Sequence, residues 1–233
     1  MSSKLPRNKA SQQEIQAFLT QVSTTPVPAS GERGRLLFAM DATASREHIW
    51  DNASHNHAAM FAEADTISGL SVQLCYYRGF NECKVSKWTH QASELQRSLL
   101  SVRCIAGRTQ IEKVLNHALK ETKKNVINAL VFVGDCIEEE PDRLGSLAGE
   151  LGILNVPIFI FQEGSNETAS RTFSHLAKLS GGAHCHFDES SAHKLGQLLA
   201  AVAIFASGGK AALSGNSLSN DRSIQHLLEQ LKG

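Results

Sequence analysis

The chain has 233 residues, a length typical of one α/β domain with terminal extensions. Hydrophobic residues make up 42% of it, which is enough for a sizeable core. Lysine and arginine together number 23, as do aspartate and glutamate, so the net charge at pH 7 is zero. No overall field therefore favours nucleic acid or an anionic membrane as a partner.

Cysteine usage and the chain ends indicate a compartment. The five cysteines are widely spaced, odd in number and without a Cys-x-x-Cys motif, so a disulfide framework is not expected. The N-terminus shows no apolar signal-peptide core, and no apolar run reaches the ~18 residues that a membrane span needs. These features predict a cytoplasmic protein.

The two ends of the chain differ from its middle. Residues 1–33 are predicted to form an N-terminal extension, in which a short amphipathic helix at Glu14–Val22 precedes a linker containing proline and glycine. Residues 208–233 are predicted to form a flexible C-terminal segment with another short amphipathic helix. The domain itself is expected to span residues 34–207, and the linker predicts that removal of residues 1–30 leaves it folded.

Between these ends, strand patterns alternate with helix patterns. Short apolar runs indicate buried strands, and apolar residues at i, i+3, i+4 and i+7 indicate amphipathic helices. In chain order, the predicted elements are a strand at 35–40, a helix at 47–64, a strand at 70–77, a hairpin edge at 83–88, a helix at 91–102, a helix from 111, a strand at 129–133, a helix at 141–151, a strand at 156–161, a helix at 168–179, a strand at 183–187 and a helix at 192–206. The alternation predicts one α/β domain with a doubly wound, Rossmann-like, mostly parallel sheet flanked by helices.

The most informative residues follow the first predicted strand. Asp41, Thr43 and Ser45 occupy alternate positions directly after the apolar run Leu36–Met40, so a carboxylate and two hydroxyls can converge on one point. An open α/β sheet binds its ligands at the carboxyl ends of its strands. Hard oxygen ligands of low total charge suit Mg²⁺ or Mn²⁺. The motif is short, so its meaning depends on residues further along the chain.

Two further polar residues are predicted to lie at the same edge of the sheet. Thr109 directly precedes a predicted helix, and Asp135 follows the predicted strand at 129–133. Neighbouring parallel strands end on one edge, so Asp41 and Asp135 are expected to face one crevice. Thr109 also begins a capping-box pattern with Glu112, and that structural role remains an open alternative.

Five residues, in order, resemble the metal site of a known family. They are Asp41, Thr43, Ser45, Thr109 and Asp135. Their pattern is similar to the metal-ion-dependent adhesion site (MIDAS) of von Willebrand factor A (vWA) domains, which consists of Asp-x-Ser-x-Ser, a loop threonine and an aspartate. The resemblance covers roughly residues 35–206. This chain has threonine at the second position, and it has glycine and cysteine around the last aspartate where threonine and glycine are frequent, but no ligand atom type is lost.

The resemblance implies a binding function and no enzymatic activity. In the family, an acidic residue of the partner fills an open position on the metal, which few formal charges surround. This chain would therefore use Mg²⁺, or Mn²⁺, to bind a protein partner that presents Asp or Glu. The family also implies that the last helix, at 192–206, can shift between closed and open states.

Other interpretations remain open. One is a metal-free vWA scaffold that binds by surface contacts. Another is a haloacid-dehalogenase-like phosphatase with Asp41 as nucleophile, although Thr43 stands where such enzymes have the second acid. His184 and His186 share one face of the last predicted strand, where they are candidates for a transition-metal site. Cys136 is interpreted as a packed small side chain.

Overall fold

The computed structural model describes residues 12–25, 34–47, 70–187, 202–203 and 205–207. The strands in these ranges are β1 (Gly34–Asp41), β2 (Leu70–Arg78), β3 (Glu82–Val85), β4 (Ala129–Gly134), β5 (Ile158–Glu163) and β6 (Ala183–Phe187). The helices are α1 (Gln12–Thr24), α2 (Ala92–Ser101), α3 (Ile111–Lys124), α4 (Pro141–Ile153) and α5 (Glu167–Ser180), with a 3₁₀ turn at Ala44–Arg46. Nearly all of the predicted helix at 47–64, most of that at 192–206 and the whole segment 208–233 lie outside the described residues.

The strands form one sheet in the order β3-β2-β1-β4-β5-β6. All neighbouring strands are parallel except β2 and β3, which form an antiparallel hairpin. The chain winds outward from β1 in both directions, and this confirms the predicted α/β class. The winding direction reverses between β1 and β4, where an open α/β sheet has its ligand crevice.

The central strands of the sheet are buried on both faces. Successive residues of β1 point to opposite sides: Phe38 and Met40 belong to one apolar cluster, and Leu37 and Ala39 belong to the other. The first cluster includes side chains of α1, α2 and the helical residues near 205, and the second includes side chains of α3, α4 and α5. Burial on both faces explains why the strands read as uninterrupted apolar runs.

Two predicted strand boundaries move for local reasons. The strand predicted at 156–161 begins at Ile158, since Val156 donates its N–H to Leu151 at the end of α4 and Pro157 has no N–H to donate. The hairpin edge predicted at 83–88 ends at Val85. There the Ser86 N–H still donates to the Leu74 carbonyl, but the N–H of Leu74 donates to the Ser86 hydroxyl, so a side chain takes the place of one main-chain acceptor.

Helix α1 packs on the sheet. Its Phe18, Leu19 and Val22 side chains are buried, and the Phe18 ring centroid lies 5.1 Å from that of Phe161. The boundaries at residues 34 and 207 remain a prediction. The burial of α1 nevertheless revises the expectation for removal of residues 1–30, which would expose part of the core. None of the helices within the described ranges is long and apolar enough to cross a membrane.

Candidate metal centre

Asp41 ends β1 with its carboxylate fully buried. Its Oδ1 atom accepts the Thr43 N–H at 2.7 Å, and its Oδ2 atom accepts the Tyr77 hydroxyl at 2.9 Å. Burial raises the pKa of Asp41, and the Asp135 carboxylate adds to this effect, while the Arg46 charge and the bonds from Thr43 oppose it. The carboxylate is therefore held in one orientation by two neutral donors, in a place that favours a nearby positive charge.

Asp135 follows β4, the neighbour of β1 in the sheet. One carboxylate oxygen of Asp41, one of Asp135 and the Sγ atom of Cys136 lie within 4.8 Å of one another. The Oδ1 atom of Asp135 is buried without a hydrogen-bond partner. A buried carboxylate oxygen without a partner is costly, and it is rare in folded proteins. The pairing that the sequence predicted at this edge, Asp41 with Asp135, is therefore present.

Gly134 leaves room for the Phe132 ring beside Asp41. A Cβ atom at this position would lie 2.8 Å from the Phe132 ring and 3.6 Å from the Cβ atom of Asp41. Threonine, which is frequent here in the family that the sequence resembles, would force the Phe132 ring to move. The glycine is thus matched to the large aromatic side chain two residues earlier.

Thr43 and Ser45 bring their hydroxyls together. The Thr43 Oγ1 and Ser45 Oγ atoms lie 3.1 Å apart, with Thr43 buried and Ser45 exposed. The 3₁₀ turn at Ala44–Arg46 produces this arrangement, because it curls the chain directly after Thr43. One hydroxyl is therefore part of the protein interior and the other faces the surface.

Thr109 is bound to the loop that begins with Asp135. Its hydroxyl donates to the Glu139 carboxylate and accepts the Glu138 N–H at 2.9 Å, and its own N–H donates to Glu138 Oε2 at 2.9 Å. The capping-box alternative is not formed, because the N-cap of α3 is Gln110 and the Glu112 N–H bonds to Glu139. The structure thus joins Thr109 to the Asp135 loop. A metal-ligand role for all five predicted residues remains a prediction.

The buried Arg46–Glu163 pair was not predicted from the sequence. Arg46 is fully buried, with Nε 2.5 Å and Nη2 2.6 Å from the two Glu163 carboxylate oxygens. Its Nη1 atom donates to the main-chain carbonyl of Asp41, so the pair links the end of β1 to the end of β5. The partners are 117 positions apart, and no local pattern identifies them. Tyr77 was missed for the same reason.

Cys136 was also not predicted to lie in the site. Burial, with the Asp135 carboxylate beside it, raises the pKa of its thiol. A protonated thiol is a poor ligand for Mg²⁺ or Mn²⁺, which bind oxygen, whereas a thiolate binds softer metals such as Zn²⁺. The position of Cys136 directly after a predicted ligand was the only signal available in the sequence.

The histidine pair does not form a comparable group. The His184 and His186 rings share a face of β6, with centroids 4.8 Å apart. However, His184 bonds to Gln162 at 3.0 Å, and His186 bonds to Ser170 at 2.8 Å. Across the part of the chain that the structure describes, only Asp41, Asp135 and Cys136 bring three candidate ligand atoms together. The transition-metal interpretation of the histidines is therefore not supported.

Comparison with solved structures identifies the fold. A von Willebrand factor type A protein from Catenulispora acidiphila matches with a TM-score of 0.59 and 14% identity, over 73% of this chain and 42% of that one. An aerotolerance-related membrane protein from Bacteroides fragilis matches with a TM-score of 0.57 and 13% identity, over 71% of this chain and 98% of that one. Proximal thread matrix protein 1 of the mussel byssus, solved with a zinc-occupied MIDAS motif, matches with a TM-score of 0.61 and 13% identity, over 76% and 47%.

These likenesses show a vWA-like fold for this chain. The chain spans less than half the length of the Catenulispora and mussel proteins. No protein-family model matches the sequence, and no curated protein matches it significantly. The fold is therefore established by structure, and the chemistry of the site must be argued from its own residues.

Proposed function

We propose that this protein is a metal-dependent protein-interaction module. Mg²⁺, or Mn²⁺, would be held at the predicted set Asp41, Thr43, Ser45, Thr109 and Asp135, and an Asp or Glu of a partner would bind to it. The observation that carries this proposal is the buried Asp135 oxygen without a partner, in a group with Asp41 and Cys136 whose ligand atoms lie within 4.8 Å of one another. Like charges this close disfavour each other, and a divalent cation removes the repulsion.

The surroundings also suit the capture of a carboxylate. Two carboxylates supply the formal negative charge of the group, and the guanidinium of Arg46 lies close enough to interact with both. Glu163 balances the charge of Arg46, so the metal itself would supply the attraction for an incoming carboxylate. The hydroxyls of Thr43 and Ser45 add neutral oxygen donors, of which Ser45 is exposed. These features support binding of an acidic side chain from outside.

A titration of chelator-treated protein tests the metal. Mg²⁺ or Mn²⁺ should bind wild type and raise its melting temperature. At a free metal concentration of one hundred times Kd, the free energy of unfolding should rise by about 2.7 kcal/mol. Asp135→Asn should abolish the response, while leaving the metal-free protein folded and no less stable, because the carboxylate repulsion is removed. Asp142→Asn, the same change at an exposed position of α4, is the matched control. An equal response in wild type and Asp135→Asn would overturn the assignment.

The partner is tested by affinity capture with and without chelator. Asp41→Ala should remove the partners that wild type captures only in Mg²⁺. Because the change also takes the acceptor from the Thr43 N–H and the buried Tyr77 hydroxyl, circular dichroism checks that the variant is folded. A response to Zn²⁺ alone that Cys136→Ser removes would assign the site to a softer metal. Capture that is equal for wild type and Asp41→Ala under both conditions would contradict the metal-bridge mechanism.

A metal-free scaffold is the second candidate, and Arg46 is the observation that favours it. Its guanidinium already supplies a positive charge next to Asp41, and it is permanently fixed there by Glu163. If this charge is sufficient, chelator and metal leave the melting temperature unchanged and partners bind without metal. The titration above decides between the two.

We propose no catalytic role. Thr43 cannot protonate a leaving group as the second acid of a haloacid-dehalogenase-like phosphatase does, since it carries no carboxyl group. Purified protein with Mg²⁺ should therefore leave generic phosphomonoesters intact. Turnover that Asp41→Asn abolishes would reverse this proposal. The cytoplasmic location and the lack of nucleic-acid or membrane partners remain predictions from composition.

A further inference from the structure

Two thiols face each other across the hairpin of β2 and β3. The Sγ atoms of Cys75 and Cys83 lie 3.9 Å apart. The antiparallel register pairs Cys75 with Val85 and Cys83 with Tyr77, so the cysteines are diagonal neighbours. Diagonal neighbours on one face of a sheet are within reach of each other's side chains. The thiol contact is thus built into the register of the hairpin.

The two thiols differ in accessibility. Cys75 is buried under the second apolar cluster, while Cys83 is half-buried on β3, an edge strand of the sheet. Lys113 of α3 reaches the same hairpin, because its Nζ atom donates to Asn81 in the turn. A reagent in solution therefore meets Cys83 first, with Cys75 directly behind it.

The thiols also differ in acidity. The contact with Cys75 lowers the pKa of Cys83, burial opposes this, and the Lys113 charge lowers it further. Burial raises the pKa of Cys104 and of Cys185 to about 12 and also raises that of Cys136. The thiolate is the reactive form of cysteine, so Cys83, which is the more accessible thiol of the pair, is the candidate attacking thiol.

We propose that Cys83 and Cys75 form a peroxide-sensitive dithiol, in which Cys83 is oxidised first and Cys75 resolves it to a reversible disulfide. The Cys83 thiol ionises, its thiolate attacks one peroxide oxygen, the O–O bond breaks, and the released hydroxide takes up the proton that the thiol gave up and leaves as water. The Cys75 sulfur then bonds to the Cys83 sulfur, the S–O bond breaks, and the second water leaves with the Cys75 proton. The two thiols lose two electrons, and peroxide is reduced to water.

Closure of the disulfide needs the edge strand to move. A disulfide has an S–S distance of about 2.05 Å, and diagonal neighbours in an antiparallel sheet are further apart than its usual Cα separation, so the sulfurs must approach from 3.9 Å by side-chain rotation together with a shift of β3 toward β2. β3 pairs only with β2 among the described strands, and it is four residues long. Neither cysteine is among the proposed metal ligands, but Tyr77, the register partner of Cys83, donates its hydroxyl to Asp41, so the pair is tested with chelator present.

Mass spectrometry of peroxide-treated protein tests the proposal, with chelator present to exclude metal-catalysed oxidation. After mild hydrogen peroxide, the intact mass should fall by two hydrogen atoms, and iodoacetamide should then alkylate three of the five free cysteines. Trypsin cuts after Arg78 and Lys84, so the disulfide should link the peptide 47–78 to the peptide 79–84. Dithiothreitol should restore all five thiols.

Variants assign the pair. Cys83→Ser at the half-buried edge and Cys75→Ala should each abolish the linked peptide, whereas Cys104→Ser should retain it; circular dichroism checks their folding. Five alkylated cysteines after peroxide, a bond to another cysteine, or sulfinic acid at Cys83 with Cys75 still alkylatable would each overturn the proposal.

Discussion

Arg46 brings a permanent charge into the protein interior, next to the candidate metal centre. Its guanidinium makes two bonds to Glu163 and one to the Asp41 carbonyl, and it has no solvent exposure. A buried pair of this kind contributes little net stability, because desolvation of both charges offsets their attraction. Removal of one partner is costly, since it leaves the other charge buried alone.

Arg46→Met should therefore destabilise the protein by about 3–5 kcal/mol, and Arg46→Met with Glu163→Gln should recover part of that loss. Urea denaturation measures both. Lys123→Met is the matched control: its ion pair with Glu150 is largely exposed, and its loss should cost at most about 1 kcal/mol. Equal losses of unfolding free energy for Arg46→Met and Lys123→Met would contradict a large cost for breaking the buried pair.

His184 makes the free energy of unfolding depend on pH. Burial lowers the pKa of His184 to about 4, with the His186 ring adding to the effect. The unfolded chain takes up a proton near the ordinary value of 6.5, whereas the folded protein does so near 4, so this contribution to stability is complete above pH 6.5 and is lost as the pH falls toward 4.

Between pH 7 and roughly pH 4.5, wild type should lose about 2–3 kcal/mol more stability than His184→Gln. Glutamine keeps a donor for Gln162, which His184 contacts at 3.0 Å, but it does not titrate. Urea unfolding of both proteins at the two pH values measures the difference. Parallel losses would contradict a buried neutral imidazole.

At the scale of elements, α1 is part of the folded body. Phe18 lies between the sheet residues Phe159 and Phe161, with ring centroids at 5.8 and 5.1 Å. The side chains of Gln21 and Thr25 donate to the carbonyl of Gly181. Apolar burial supplies the energy of this docking, and the hydrogen bonds set its position.

Phe18→Ala should destabilise the protein by about 3–5 kcal/mol, as a large-to-small change in a core does. Gln16→Ala, on the exposed side of α1, should change stability by less than about 0.5 kcal/mol. Urea denaturation measures the loss, and hydrogen exchange in β5 and β6 should rise in the first variant only. An unchanged midpoint for Phe18→Ala would restore the expectation that residues 1–30 are dispensable.

At the scale of the whole molecule, the proposed partner must approach the carboxyl edge of the sheet. The turn of the β2–β3 hairpin lies there, and its Phe80 side chain is 76% exposed. Ile105, in the loop that follows α2, is 44% exposed. The Ile105 carbonyl accepts the Gly79 N–H, and the Ile105 N–H donates to the carbonyl of Ala42, the residue after Asp41. An apolar rim therefore adjoins the candidate metal centre.

Phe80→Ser should weaken metal-dependent partner capture several-fold and leave the melting temperature and metal affinity unchanged, because the ring contacts solvent and not the core. Ile153→Ser is the control: Ile153 is 82% exposed at the end of α4, which the topology places at the opposite edge of the sheet. Affinity capture in Mg²⁺ compares them. A similar loss of partner capture in both variants would indicate non-specific hydrophobic association and would contradict a rim at the binding site.

The sequence alone determined the elements and the edge at which the site lies. Alternating apolar runs and helix-spaced residues are local patterns, so the strands and helices of the described residues were predictable within a few positions. Asp41 and Asp135 followed from the rule that neighbouring parallel strands end together, which needs only the positions of the two strands.

Only the tertiary structure decided the surroundings of that site. Arg46 with Glu163, Tyr77 with Asp41, and the Cys75–Cys83 contact all join residues from different strands or turns. Their contacts depend on strand order and register, which the whole core sets by packing on both faces of the sheet. A local sequence pattern reports what a segment prefers to form, whereas a long-range contact exists only once every segment has taken its place.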